Sequence, residues 1–296
     1  MLEFYRAQSP WTDPGEHEAM YAGIPDDVGS IVEAVQGAVV HGGLLWLYGL
    51  KPSEAQDGGS DIRRTDELLG RIKALDDAGL DVHRSVEKRL VVNCRQFAVL
   101  TCSILRHKGI PARARAGYEL YTHREGKYDS HWICEYWNQD EARWIQVDPQ
   151  IDAKQREFMK IDFNTLDMPK GRFVIAGEGF QRYRDGDVPA EDFGVYGDGR
   201  WNAMGWTMAM ESVTCDMLAL NKVELLPWDT PPFAEKAEDE MSPEDMALIE
   251  KAAQLTVNVD TRWHEMREFY EKHPAFHMPD GFEDEKQNDD VDANEE

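Results

Sequence analysis

Cys94 is the residue of this sequence best placed to act as a nucleophile. It follows Asn93, a residue type that caps helix N-termini, and the apolar run after it continues almost to Gly109, which predicts a helix that begins at Cys94. The first backbone N–H groups of a helix lack partners within the helix and, with the helix dipole, stabilise an anion. A thiol at this position is suited to attack a carbonyl carbon near neutral pH. The alternative is that Cys94 is a small apolar core residue, as most free cysteines are.

A predicted hairpin brings a histidine and an aspartate together. Two strand-like segments are separated by the turn-forming residues NQDE. If the hairpin is symmetric about that turn, Trp137 pairs with Ala142 and His131 pairs with Asp148. Residues opposed on antiparallel strands share a face of the sheet, with Cβ atoms about 4.5–5.5 Å apart. The sequence therefore predicts a His131–Asp148 pair, provided that the loop does not change the register.

Together with Cys94, this pair would form a catalytic triad. A carboxylate that accepts one imidazole N–H fixes the tautomer and orients the other ring nitrogen. If that second nitrogen meets the sulfur, a thiolate–imidazolium pair results. The thiolate then attacks a carbonyl carbon and the imidazolium protonates the leaving amine. The alternative is a structural histidine beside a surface aspartate.

A resemblance to a known family lies between residues 91 and 150. The segments NCRQFAVLTCSILRHKGIPARARAGYEL, SHWICEYW and ARWIQVDPQ resemble the transglutaminase-like superfamily, with its Cys-bearing helix, Gly-Ile-Pro-Ala-Arg motif, Gly-Tyr strand, histidine strand and Val-Asp-Pro strand. The resemblance implies an α+β, papain-like core in which the Cys-bearing helix packs on an antiparallel sheet. It also implies that Cys94 is the nucleophile, that His131 is the general base and acid, and that Asp148 orients His131.

Four further residues are candidates for substrate binding. Asn93 and Trp132 stand where the sequence departs from the family pattern, since many relatives carry Gly-Asp or similar before the cysteine and an aromatic residue two positions after the histidine. These departures leave the oxyanion donors open, with the backbone N–H of Cys94 as one candidate. Arg113 and Arg115 share one face of the strand that follows the helix. They could bind an acidic substrate group, although a solvated face or structural ion pairs are the commoner outcomes.

The other cysteines favour structural roles. Cys102 lies inside the apolar helix, Cys134 points away from His131 because side chains alternate along a strand, and Cys215 lies in a predicted helix. The sequence contains no C-x-x-C pair, no EF-hand spacing and no glycine-rich nucleotide fingerprint. We therefore predict an enzyme without metal or cofactor.

Five regions are predicted along the chain. They are a helical N-terminal region at 1–90, the catalytic core at 91–150, a Gly- and aromatic-rich extension at 151–230 that covers or lines the site, a C-terminal helix region at 231–278 and a disordered acidic tail at 279–296. Core strands are expected at 112–121, 130–137 and 142–148. The apolar stretch 39–50 is expected to be a buried helix, and Ser242 is expected to cap a helix at 243–272 that breaks near Val257. Trp201, Trp206 and Trp228 are candidates for lining a cleft, although tryptophan is also an ordinary core residue.

The charge balance argues against one class of partner. The chain has 57 Asp and Glu against 32 Lys and Arg, a formal net charge of -25. A field of that sign repels phosphate backbones, so no nucleic-acid partner is expected. No apolar stretch is long enough to span a bilayer and the N-terminus lacks an export-signal layout, so we predict no membrane partner and a cytoplasmic location.

These features predict acyl chemistry on a peptide or small amide, through an acyl-thioenzyme at Cys94. Water as the acceptor gives a peptidase or amidase, which is favoured because water is always present. An amine as the acceptor gives a transamidase. A non-catalytic binding module on the same fold is a third alternative, against which the complete set of three residues argues. The sequence leaves the oligomeric state open.

Overall fold

The computed structural model describes residues 1–53, 56–121, 126–195, 203–279 and 281–282. Within these residues the chain combines many helices with a five-stranded sheet and a two-stranded sheet. Most of the predicted acidic tail lies outside the described residues, as does Trp201. None of the helices described here is both long and apolar enough to cross a lipid bilayer.

The N-terminal region is largely helical and contains one short pair of strands. Its helices are α1 (Leu2–Arg6), α2 (Val28–Ala38), α3 (Leu45–Tyr48) and α4 (Thr65–Leu75). Strands β1 (Val39–His41) and β2 (Leu90–Val92) pair in parallel. This pairing places β1 beside the residues that lead directly into Cys94.

The prediction of one buried helix at 39–50 is wrong. The segment divides into β1, a short 3-10 turn at Gly42–Leu44 and the single turn of α3, which ends at Gly49 with φ 66°. Glycine and β-branched residues are weak helix formers, and β1 satisfies its backbone by pairing with β2. The apolar side chains beyond β1 are not buried, and Trp46 is 59% exposed.

The cysteine-bearing helix α5 (Cys94–His107) begins where the sequence predicts. The side chain of Asn93 accepts a hydrogen bond from the backbone N–H of Arg95 (2.9 Å), and that of Gln96 accepts one from the N–H of Asn93 (3.2 Å). This reciprocal capping satisfies two backbone donors that the helix itself leaves unpaired. The helix ends just before Gly109, whose φ of 75° favours glycine.

The central sheet has the strand order β5–β4–β3–β6. Its strands are β3 (Ala112–Glu119), β4 (Tyr128–Asn138), β5 (Arg143–Val147) and β6 (Phe173–Ile175), all antiparallel to their neighbours, with the short β7 (Phe193–Gly194) parallel to β4. Helices α6 (Ala153–Met159) and α7 (Ala176–Arg184) flank β6 in the chain. One face of the sheet packs on α5, because Ala114, Trp132 and Cys134 share a buried cluster with Phe97 and Leu100.

The C-terminal helices form a second buried apolar cluster, separate from the one between α5 and the sheet. Helix α8 (Gly205–Leu220) lies against β3, and α9 (Pro243–Val257) and α10 (Val259–Lys272) join it in this second cluster. The side chain of Ser242 accepts from the N–H of Asp245 (3.0 Å) and caps α9. The predicted cap and the predicted break near Val257 are both confirmed.

Candidate active site

The start of α5 is held in place by the buried side chains of the two residues that follow Cys94. Arg95 donates to the carbonyl oxygens of Ile62 (3.1 Å) and Arg63 (2.6 Å), and Gln96 Nε2 donates to that of Ser60 (2.8 Å). Cys94 itself is partly exposed, whereas the other three cysteines are buried. The thiol at residue 94 is thus the one that a substrate can reach, and its backbone is fixed.

The β4–β5 hairpin has a different register from the predicted symmetric one. Trp137 pairs with Trp144 rather than with Ala142, and Asn138 pairs with Arg143. The loop is therefore one residue further along the chain than predicted, and each β4 residue pairs two positions later on β5. The side chain of Asn138 accepts hydrogen bonds from the N–H groups of residues 140 and 141, and Ala142 adopts a φ of 49°, which favours this register. An even shift of pairing leaves the faces unchanged. His131 and Asp148 therefore share a face as predicted, but as diagonal neighbours.

His131 and Asp148 form a buried hydrogen-bonded pair. Nε2 of His131 lies 3.0 Å from Oδ2 of Asp148, and the two residues are 3% and 0% exposed. Tyr121 Oη also donates to Oδ2 (2.5 Å), and the backbone N–H of Gln150 donates to Oδ1 (2.9 Å). Three donors thus fix the carboxylate, and the carboxylate fixes the ring.

The electrostatics of this pair favour its charged form. Burial alone would lower the pKa of His131, but the charges of Asp148 and Glu119 and hydrogen bonds to Asp148 and Cys94 raise it well above its usual value. Burial alone would raise the pKa of Asp148, yet the charge of His131 and the bonds to the carboxylate lower it. Since Nε2 is bound to Asp148, Nδ1 is the ring nitrogen left for the thiol of Cys94. The fold therefore brings the three predicted residues together.

Sequence reasoning missed three residues of this site: Glu119, Tyr121 and Gln150. Tyr121 and Gln150 hold Asp148, while Glu119 lies beside His131. Strand alternation places 119 and 121 on one face, and the β3–β4 pairing of Gly117 with His131 points that face at the histidine. The alternation could be found in the sequence, but the pairing with β4 could not be derived without the structure.

The same cluster could be considered for a metal. One ring nitrogen of His131 and one oxygen each from Glu119 and Asp148 lie within 4.8 Å of one another. Nε2 and both oxygens of Asp148 already take part in hydrogen bonds, so Glu119 alone offers an uncommitted oxygen. The arrangement suits proton transfer better than ion binding, and a metal-free enzyme remains our prediction.

The substrate-binding role expected for Arg113 and Arg115 is contradicted. Both are 1% exposed. Arg115 donates to both oxygens of Asp216 (2.9 and 2.9 Å) and to Glu135 (3.0 Å), and Arg113 donates to Glu135 (2.7 Å) and Asp260 (2.7 Å). The two arginines lower the pKa of Glu135 to about 2 despite its burial, which would raise it. They are structural ion pairs that attach α8 and α10 to the sheet.

Trp132 is likewise a core residue and not a substrate contact. It is 2% exposed and packs in the cluster beneath α5, because alternation turns it to the face opposite His131. Asn93 caps α5, and its Nδ2 atom is buried without a hydrogen-bond partner in the described chain. The substrate role of Asn93 therefore remains a prediction with a donor available to serve it.

A surface cleft of about 630 Å³ lies between α2 and α6. It is lined by charged and apolar residues that include Glu33, Arg156 and Leu166, and by none of Cys94, His131 and Asp148. We therefore do not assign the substrate to this cleft.

Comparison with known proteins bears on the family and the fold of the chain. Residues 73–149 match the family model of the transglutaminase-like superfamily, so the chain carries a transglutaminase-like core and the resemblance and the α+β fold class are confirmed. Comparison with curated proteins finds no match. A solved structure of a candidate cysteine protease from Cytophaga hutchinsonii is 16% identical, with a TM-score of 0.35. The alignment covers 59% of this chain and 45% of that one, so the chain spans less than half of that protein.

Proposed function

We propose that the protein hydrolyses an amide through an acyl-thioenzyme, with Cys94, His131 and Asp148 as its catalytic triad. The observation that supports this most is the 3.0 Å contact that commits Nε2 of His131 to Asp148. The ring then has its other nitrogen free for the partly exposed thiol at the start of α5. The match to the transglutaminase-like superfamily supports cysteine-based catalysis in general.

In the first half-reaction the amide is cleaved. The Cys94 thiolate attacks the carbonyl carbon, a C–S bond forms and the carbonyl oxygen becomes an oxyanion. His131 then gives its Nδ1 proton to the amide nitrogen, the C–N bond breaks and the amine leaves. The product of this step is a thioester on Cys94.

In the second half-reaction the thioester is cleaved. Neutral His131 takes a proton from water as the water oxygen attacks the acyl carbon, and the C–S bond breaks to return the thiolate and the imidazolium. In both steps the oxyanion needs donors, for which we assign the backbone N–H of Cys94 and the unpartnered Nδ2 of Asn93. The substrate is a peptide or small amide in this proposal, and the location is the cytoplasm.

The proposal is tested with Cys94→Ala and His131→Ala proteins on a panel of peptide and small amide substrates. We expect both to lose activity by at least about 1,000-fold relative to wild type. His107→Ala provides a matched control, because His107 is an exposed histidine at the end of α5. Amide cleavage by Cys94→Ala at the wild-type rate would exclude the proposal.

The acceptor is tested separately. Thioester aminolysis and hydrolysis share the first half-reaction, so added primary amines compete with water for the same intermediate. If the enzyme is a hydrolase, a primary amine at millimolar concentration leaves the carboxylic acid as the main product. Predominant formation of a new amide would assign a transamidase instead.

A further inference from the structure

Glu119 is a second carboxyl group beside His131 that the two half-reactions do not use. Its carboxylate lies within the 4.8 Å cluster formed with His131 and Asp148. The side chain is 7% exposed, and Oε2 has no hydrogen-bond partner within the described residues. A buried carboxylate requires compensation by a cation or by hydrogen bonds, and otherwise it keeps its proton.

The groups around Glu119 provide little compensation. Asp129 lies opposite it on β4, Asp148 lies beyond β5, and Tyr121 follows it on its own side of the sheet. Among these neighbours His131 alone carries positive charge, and that charge is already paired with Asp148. Burial first, and then the carboxylates of Asp129 and Asp148, raise the pKa of Glu119 to about 8, although the His131 charge and a hydrogen bond with Tyr121 oppose them.

We propose that Glu119 is a positioning residue that acts through His131 and sets the highest pH at which the imidazolium persists. This inference rests on the proposed function, because it assigns the imidazolium the role of proton donor to the leaving amine. Neither the amide-cleaving step nor the thioester-cleaving step requires Glu119 to touch the substrate.

The charge on Glu119 changes as the pH rises, and the pKa of His131 changes with it. Below about pH 8 the Glu119 side chain is neutral and His131 is held as an imidazolium mainly by Asp148. As Glu119 ionises, a second negative charge lies within about 5 Å of the ring and opposes the loss of the ring proton. The pKa of His131 therefore rises as the medium becomes more alkaline, and the proton donor survives to higher pH.

The kinetic test compares wild type with Glu119→Gln and Glu119→Asp from pH 6.5 to 9.5. Glutamine has the same shape but cannot ionise. The alkaline limb of the kcat/KM profile should therefore move to lower pH by about one unit or more. Whatever activity Glu119→Gln has at pH 6.5, its ratio to wild type should fall about tenfold by pH 9. Glu119→Asp keeps an ionisable group and should restore part of the shift. Asp129→Asn is the control, because it removes a half-buried carboxylate from the opposite strand position and should shift the limb less.

Two measurements need no substrate and separate this inference from the proposed function. The ring signals of His131, assigned by their loss in His131→Gln, should titrate at lower pH in Glu119→Gln. The thermal stability of Glu119→Gln relative to wild type should rise between pH 5 and pH 8, because folded wild type holds a proton that the unfolded chain releases. An unchanged titration of His131 in Glu119→Gln would overturn the inference even in an active amidase. Amide cleavage by Cys94→Ala would instead overturn the proposed function.

Discussion

Nε2 of His131 and Oδ2 of Asp148 lie 3.0 Å apart although the two residues are not opposite each other in the hairpin. β5 ends at Val147, and Asp148 is the next residue of the chain. Its side chain reaches diagonally across the sheet to His131. The backbone N–H of Gln150 and the hydroxyl of Tyr121 then hold the carboxylate against the ring. The contact thus depends on the loop after the strand as much as on the strand.

Asp148→Asn should lower kcat by about 100-fold or more. The amide keeps the shape of the side chain, but it loses the charge that stabilises the imidazolium and can hold the wrong tautomer. Alkylation of Cys94 by iodoacetamide at pH 6–7, followed by mass spectrometry, should slow in parallel because the thiolate loses its charged partner. Asp140→Asn, in the exposed β4–β5 loop, should change neither quantity. Equal alkylation of Cys94 in Asp148→Asn and wild type would argue against the triad.

The His131–Asp148 pair should make stability depend on pH. The pKa of His131 is raised in the folded state. The stabilisation that the charged ring provides is therefore complete below about pH 6.5, the usual pKa of histidine, and declines as pH rises through the folded pKa. The pKa of Asp148 is lowered, so its contribution is present above about pH 3.8 and is lost as pH falls through the folded pKa. Urea unfolding of wild type and His131→Gln should therefore differ most between about pH 4 and 6.5. A difference that grew from pH 6.5 to pH 9 would contradict the assignment.

Arg115→Met should destabilise the fold by about 3–5 kcal/mol, because it leaves the buried carboxylates of Asp216 and Glu135 without their main cation. Arg143→Met is the matched control. Its ion pairs with Glu141 and Asp167 are exposed, so Arg143→Met should unfold at nearly the same denaturant concentration as wild type. Chemical denaturation measures both. A folded Arg115→Met protein with a raised KM and unchanged stability would restore the substrate-binding role.

Asn93→Ser should separate the two roles of the residue before the nucleophile. Serine still caps a helix but lacks the amide donor, so kcat should fall about tenfold or more while stability changes by less than about 1 kcal/mol. Asn93→Ala removes both the cap and the amide donor. It should lower kcat as Asn93→Ser does and should also lower the free energy of unfolding by about 1 kcal/mol. If Asn93→Ser has wild-type kcat, the backbone N–H of Cys94 and other donors serve the oxyanion without Asn93.

The sequence alone determined the features that are encoded within a few residues of one another. Asn93 and Gln96 cap a helix locally, so Cys94 had to lie at a helix start. Side chains alternate between the two faces along β4 and β5. His131 and Asp148 therefore share a face in the symmetric register and in any register that differs from it by an even number of residues. The helices at 243–272, their cap and their break follow from equally local signals.

The tertiary structure alone decided which groups share an environment. The hairpin register depended on the left-handed backbone of Ala142, and the burial of Arg115 depended on Asp216, about 100 residues away. The pairing of β3 with β4 placed Glu119 beside His131. Burial and charge act through space, so the protonation states of this site follow from the packing of distant segments rather than from spacing along the chain.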